Sequence, residues 1–225
     1  IRVVQAEYPQ DWLTEKLEDT GQKQASWRSD PARSGAGGSI GDIGTHALNL
    51  ATFVTGLKLD ALAADLTSFV NGRVLDDNAN ILLRFEGGAK GSIWCSQVAP
   101  GNENGLRLRV YGSKGGLEWE QEQPNHLWYT PFGEPKRLIT RAGSGARDVA
   151  ARVSRIPAGH PEGYLEGFAT IYSEAARAII AKREGQPIPA DVQFPTVEDG
   201  LNGMIFIDAC VRSAQQNNAW VSCRP

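Results

Sequence analysis

The chain has 225 residues, 41% of them hydrophobic and 22% charged, with a formal net charge of −3. That composition suits a globular core and excludes a disordered chain, and scattered Lys and Arg under a net negative charge argue against nucleic acid or an anionic membrane as partner. No apolar run nears the ~18 residues of a membrane span, no signal-peptide pattern is present, and Cys95, Cys210 and Cys223 lack CxxC spacing, so we expect reduced thiols in a cytoplasmic protein.

Residues Ile1 to Tyr8 alternate weakly and are rich in β-branched side chains, which predicts a strand ended by Pro9. Without an initiator Met, and beginning inside this strand, the chain is expected to be one part of a longer protein. Gln10 to Ser34 is polar, with Trp12 and Trp27 as isolated large aromatics, and is expected to be a long irregular segment. The glycine-rich turn Gly35 to Gly41 then leads into a predicted helix closed by Gly56. Its apolar stripe is expected to be Ile43, Ala47, Leu50 and Val54, with Asp42, His46 and Asn49 turned toward a cleft.

A β-rich block follows from about Leu59 to Ile139. Ile81, Leu83 and Phe85 alternate with Asn80 and Arg84, and a second run begins at Ile93 after Glu86-Gly87-Gly88, which predicts a hairpin. Across the turn Gly112 to Gly116, pairing of two further strands sets Arg107 and Arg109 against Glu118 and Glu120. Short strands at Leu127 to Thr130 and Arg137 to Thr140 extend the meander. Arg141 to Gly159 lacks an apolar pattern and is expected to be a long connection. Pro161 suits the first turn of a helix with the stripe Tyr164, Phe168, Ile171, Ala175 and Ile179, ending near Gly185. A second helix follows Pro195, opened by Thr196 and Asp199 in a capping box, with an inner edge of Val197, Leu201, Met204, Ile205 and Asp208. Ala219 to Cys223 is a short terminal strand or tail.

Asp42 and His46 are four residues apart, about 40° around a helix, so a carboxylate and an imidazole share one face. Spacing alone leaves two readings: an acid/base pair, or a capping aspartate with a surface or satisfied core histidine. The glycines before them evoke a dinucleotide fingerprint, but the register fails at Ile40, so they are expected to let the helix start pack closely against another backbone. Three histidines without an HxxxH pair, and no cysteine pair, give no metal ligand set.

The block GGSIGDIGTHALNL resembles the C-terminal domain of the Gfo/Idh/MocA family of NAD(P)-dependent oxidoreductases, whose pattern is roughly GG followed by D-x-G-x-H-x-x-D. Gly37, Gly38, Asp42, Gly44 and His46 match, while Asn49 stands where a second Asp is common. WRSDPARSG, LDDNANILLRF, SQVAPGNENGLRLRVYG, GGLEWEQEQPN and GHPEGYLEGFATIY are similar to one bacterial subgroup, so the resemblance covers almost the whole chain.

The resemblance implies an α+β fold with a large open, mostly antiparallel sheet and helices packed on one face. Residues 1–225 would form a single substrate-binding, catalytic and oligomerisation domain. The N-terminal Rossmann domain and its catalytic lysine are absent from this sequence. NAD or NADP would be bound mainly by that domain, leaving the isolated piece inactive. The implied reaction is oxidation of a secondary alcohol of a sugar, anhydrosugar or cyclitol. His46 would be the acid/base group and Asp42 would orient its ring. Asn49, Trp12, Trp27, Arg28 and His160 would contact the substrate, and the open sheet face would join copies into a homo-oligomer. The alternative is a non-catalytic sugar-binding or dimerisation module.

Overall fold

The computed structural model describes residues 1–146 and 148–224. Nine strands form one sheet: β1 (Val3–Pro9), β2 (Leu59–Thr67), β3 (Asn78–Phe85), β4 (Lys90–Ser96), β5 (Arg107–Tyr111), β6 (Gly115–Glu120), β7 (His126–Pro131), β8 (Arg137–Thr140) and β9 (Val221–Ser222). Their order is β8-β7-β6-β5-β1-β4-β3-β2-β9. Among the described residues only β1 with β4 pairs in parallel, and every other pair is antiparallel. The α+β class with a large open sheet is thus confirmed.

Alternation decides which face is covered. Val4, Ala6, Ile81, Leu83, Phe85, Ile93, Cys95, Leu108 and Val110 point to one side and are buried. The other face carries Gln5, Glu7, Asn80, Ser92 and the predicted charge ladder, in which Arg107 lies opposite Glu120 and Arg109 opposite Glu118. Arg107 pairs with Glu120 at 3.4 Å, whereas Arg109 pairs with Glu7 of β1 and leaves Glu118 to Lys136. The hairpin of β3 and β4 forms around Glu86–Gly88, as the sequence predicts.

Two helices cover the apolar face. The first is a π turn over Ile40–Gly44, continuing as α3 (Thr45–Thr55) and ended by Gly56 in the left-handed region at φ 68°. Its buried residues are Ile40, Ile43, Ala47, Leu48 and Ala51; Leu50 is only half-buried and Val54 is exposed, so the expected stripe is correct in its first half only. The second is α6 (Val197–Gln215), whose Thr196 amide donates to Asp199 as the capping box requires. Phe206, Ala209, Cys210 and Ser213 face the sheet, while of the expected edge Val197, Leu201, Met204 and Asp208 lie outside and only Ile205 packs against the core. Around Phe206 the contact is made by small side chains, Ala209, Cys210 and Ser213, which let the helix approach closely and carry little hydrophobic signal. Ser213 Oγ also donates to the Ala219 carbonyl and accepts the Ala64 amide of β2.

Short helices replace the predicted irregular segment: a 3-10 turn (Leu17–Thr20), α1 (Lys23–Arg28) and α2 (Pro31–Ser34). Gln22 and Asp30 cap the two helices by accepting the amides of Ala25 and Ala32, local bonds that a periodicity test does not see. The predicted connection Arg141 to Gly159 contains α4 (Asp148–Val153), with Arg147 outside the described residues. Helix α5 (Tyr164–Arg183) begins three residues after Pro161, where Glu166 accepts the Gly163 amide. No helix among the described residues is long and apolar enough to cross a membrane.

Candidate functional site

Strands β1 and β4 are parallel, so their C-terminal ends deliver Tyr8 and Gln97 to one end of the sheet, where α3 also starts. Asp76 fixes that start. Its Oδ1 accepts the Gly38 amide at 2.7 Å and its Oδ2 accepts the Ile40 amide at 2.9 Å and Ser39 Oγ at 2.6 Å, while its carbonyl accepts the Ser39 amide at 2.8 Å. Burial pushes the Asp76 carboxyl up, opposed by those hydrogen bonds. A Cβ on Gly38 would stand 2.0 Å from the Asp76 carbonyl oxygen, so only glycine fits. Gly38 therefore serves close backbone approach, as expected, whereas Gly35 and Gly41 meet no other backbone. The helix start, where a dinucleotide phosphate would otherwise sit, is filled by the chain's own carboxylate, and does not fit that group.

Two residues into the π turn, Asp42 is held from both sides. Arg28 Nε donates to Oδ1 at 3.0 Å and Gln97 Nε2 to Oδ2 at 2.7 Å. Arg28 lies over the Trp27 ring, 4.3 Å from its centroid, and both side chains donate to Gln24 Oε1. Each Asp42 oxygen thus has a donor, and neither donor is His46. Among the described residues this carboxylate is met by a guanidinium and an amide, and no hydrogen bond from the imidazole reaches it.

His46 is exposed and meets the ring of Tyr8 edge-on, with centroids 6.3 Å apart and planes at 62°. Tyr8 OH donates to Asn104 Oδ1 at 2.7 Å; Gln10 Nε2 donates to the same oxygen at 2.9 Å and accepts Trp12 Nε1 through its Oε1 at 3.0 Å. Burial chiefly raises the Tyr8 phenol above its ordinary value, with the negative charge of Asp42 adding to it. The result is an exposed imidazole beside an aromatic wall, a floor of amides that both donate and accept, and a carboxylate–guanidinium pair. Amides and half-buried tryptophans are the groups that a polyhydroxyl ligand with one flat apolar face would meet.

Of the sequence-predicted residues, Asp42, His46, Arg28, Trp27 and Trp12 come together here. Asn49 is half-buried one turn beyond His46, and its carbonyl accepts Thr52 Oγ1. His160 stands apart on the loop before α5; its carbonyl accepts Arg141, and the loop is tied to Asn125 beside β7, three strands away from β1 in the sheet. Tyr8, Gln10, Gln24, Gln97, Asn104 and Asp76 escaped the sequence reading. Tyr8 alone had a signal there, as the polar-tipped aromatic at the end of the Val4, Ala6, Tyr8 alternation. A trough of about 480 Å³ lies elsewhere, on the open sheet face beside Gln5, Glu7, Trp94 and Arg109. No histidine lines it, whereas the head of α3 carries the exposed His46.

Comparison with known proteins gives the family and the fold. Residues 1–118 match the model of the GFO/IDH/MocA C-terminal domain. An uncharacterized oxidoreductase, YfiI of Bacillus subtilis, is 37% identical over 227 residues, covering 98% of this chain and 57% of that protein. An oxidoreductase structure from Sinorhizobium meliloti is 62% identical at a TM-score of 0.86, covering 98% of this chain and 56% of the other. An inositol dehydrogenase homologue from Azotobacter vinelandii, complexed with NADH and myo-inositol, is 33% identical at a TM-score of 0.90, covering 99% and 57%. The chain thus spans little more than half the length of the relatives it matches. It belongs to the GFO/IDH/MocA C-terminal domain family, a family of oxidoreductases.

Proposed function

We propose that this chain is the substrate-binding and acid/base part of an NAD(P)-dependent dehydrogenase that oxidises a secondary alcohol on a sugar, anhydrosugar or cyclitol. The observation that carries the reading is the exposed His46 at the head of α3, between the Tyr8 wall and the Arg28–Asp42 pair. A neutral imidazole takes the hydroxyl proton as the carbon–hydrogen bond of the same carbon breaks and the carbonyl forms. NAD or NADP, when bound, supplies the acceptor for the hydride, and on this reading it is held outside residues 1–225. Asp42 acts through charge and through the placement of Arg28 and Gln97, rather than by a hydrogen bond to the ring. Gln10, Gln97 and Asn104 are the amides offered to hydroxyl groups, with Trp12, Trp27 and Asn49 at the margin; His160 has a place only if the substrate extends toward β7. The myo-inositol complex of the Azotobacter relative supports the substrate class.

The test is turnover by the full-length enzyme of which this chain would be a part, with NAD⁺ or NADP⁺ and a panel of polyols. His46→Ala should lower kcat by about two orders of magnitude or more; an unchanged rate sinks the assignment. Residues 1–225 alone should show no turnover. A homo-oligomer formed through the open sheet face is part of the proposal, supported by half-exposed Leu82, Trp128 and Leu138 within the charge ladder of that face. That face also favours the dimerisation-module reading, which a monomer in sedimentation would remove.

A further inference from the structure

Helix α5 carries an apolar stripe that the fold leaves bare. At 100° per residue, Tyr164, Leu165, Phe168, Ile171, Tyr172, Ala175 and Ile179 fall within about 120° of one another. The buried residues Glu174, Ala178 and Ala181 lie on the adjoining side. There Arg152, Arg177 and the Gln193 amide close over Glu174, so the helix is fastened by polar contacts to its flanking segments and not by its apolar face. Tyr164 is 77% exposed, Leu165 76% and Tyr172 70%. At about 200 Å² per ring, the three aromatics leave about 400 Å² uncovered, and Leu165, Ile171 and Ile179 extend this past the ~300–600 Å² of the largest patch on a typical monomer.

We infer that this stripe is the docking surface for the nucleotide-binding part of the full-length enzyme, the region that the longer relatives have and this chain does not span. The inference rests on the reading of the chain as the substrate half of a dehydrogenase. Three observations point to that occupant. The chain covers 57% of YfiI and 56% of the Sinorhizobium structure, so a partner region of comparable size exists in those proteins. The glycine-rich helix start is closed by Asp76, so a dinucleotide's phosphates must be held by something outside the chain that still reaches the site. And α5 starts beside Asn125, which both donates to the Glu162 carbonyl and accepts the Glu162 amide just before β7, at the same end of the sheet as Tyr8 and three strands to its side. A region seated on the stripe buries an apolar face and extends from the same end of the sheet as His46. Within-chain domain interfaces of roughly 600–1,500 Å² are of the size this patch provides on one side.

The test is maleimide labelling of single added cysteines, compared between residues 1–225 and the full-length enzyme. Cys95, Cys210 and Cys223 are buried, and burial pushes all three thiols up, so the background is slow. Phe168→Cys and Leu165→Cys should label freely in the short chain and at least about tenfold more slowly in the full-length enzyme. Ser173→Cys, on the opposite side of α5, should label alike in both. Equal labelling of all three positions in both proteins overturns the inference. So does protection in the short chain that grows with its concentration, which assigns the stripe to a second copy. Turnover is measured on the full-length protein separately. Protection without turnover leaves the docking surface standing and removes the dehydrogenase reading; turnover without protection does the reverse.

Discussion

Replacing Gly38 with alanine should unlock the helix that presents His46. The added Cβ would stand 2.0 Å from the Asp76 carbonyl oxygen, against the 3.0 Å below which real Cβ contacts essentially never fall, and 3.0 Å from Leu75 Cβ. The two backbones must therefore part by about 1 Å. The Ser39 amide, now 2.8 Å from that carbonyl, then passes beyond hydrogen-bonding range, and the 2.7 Å bond from the Gly38 amide to the Asp76 carboxylate is strained with it. One neutral and one charge-assisted hydrogen bond are lost or weakened while their partners stay buried. With the overpacking, the expected loss is about 3–5 kcal/mol. Urea unfolding, followed by tryptophan fluorescence and far-ultraviolet circular dichroism, measures it at a common slope. Gly200→Ala is the internal control. Gly200 lies in α6 with nothing within 4 Å of the added atom, so the same substitution should stabilise by about 0.5–1 kcal/mol. A Gly38→Ala loss below about 1 kcal/mol would refute the steric argument.

The remaining expectations concern charges. Arg73 is buried, with Nη1 on Asp77 and the Leu13 carbonyl, and Nε and Nη2 on Glu18. Arg73→Met leaves the fully buried Asp77 carboxylate without its cation and should cost about 3–5 kcal/mol in the same unfolding assay; a loss under about 1 kcal/mol would show the ion pair to be dispensable. Glu174 is held down to about 2 by Arg152 first, then by the Gln193 amide and Arg177. A carboxyl whose folded value lies below its unfolded 4.5 contributes stability above pH 4.5 and loses it as pH falls toward 2. Glu174→Gln should therefore flatten the melting temperature against pH across that window, and parallel curves for the two proteins would contradict the assignment.

Much of the sheet was legible because strand physics is local in its pattern. Alternation of Arg107 and Arg109 with Leu108 and Val110, set against Glu118 and Glu120, fixed a register that the pairing reproduces. The glycine turn was legible too, since a failed phosphate register left close backbone approach as its remaining use. Helices α5 and α6 were located, but the inner edge expected of α6 held only at Ile205. Periodicity finds an apolar stripe without saying what covers it, and here the sheet is met by Ala209, Cys210 and Ser213 while Leu201 and Met204 stay outside. In the site, Asp42 and His46 were visible through spacing. Arg28 was named for the substrate and not for Asp42, 14 residues away, and Gln97, 55 residues from Asp42, and Asn104, 96 residues from Tyr8, were not visible, distances that only the fold closes.

The loop between β2 and β3 looks easy to cut, with Gly72 at φ 77° and Val74 well exposed on either side of an arginine. Trypsin, however, must take the arginine side chain into its own acidic pocket, and the Arg73 side chain is 2% exposed. Its guanidinium is committed to Leu13, Glu15, Glu18 and Asp77. Cleavage after Arg73 therefore waits until residues 13–18 let go, and those residues lead directly into the helix that holds Trp27 and Arg28 beside Asp42. The time at which that one bond is cut becomes a clock for the opening of the segment that walls the site.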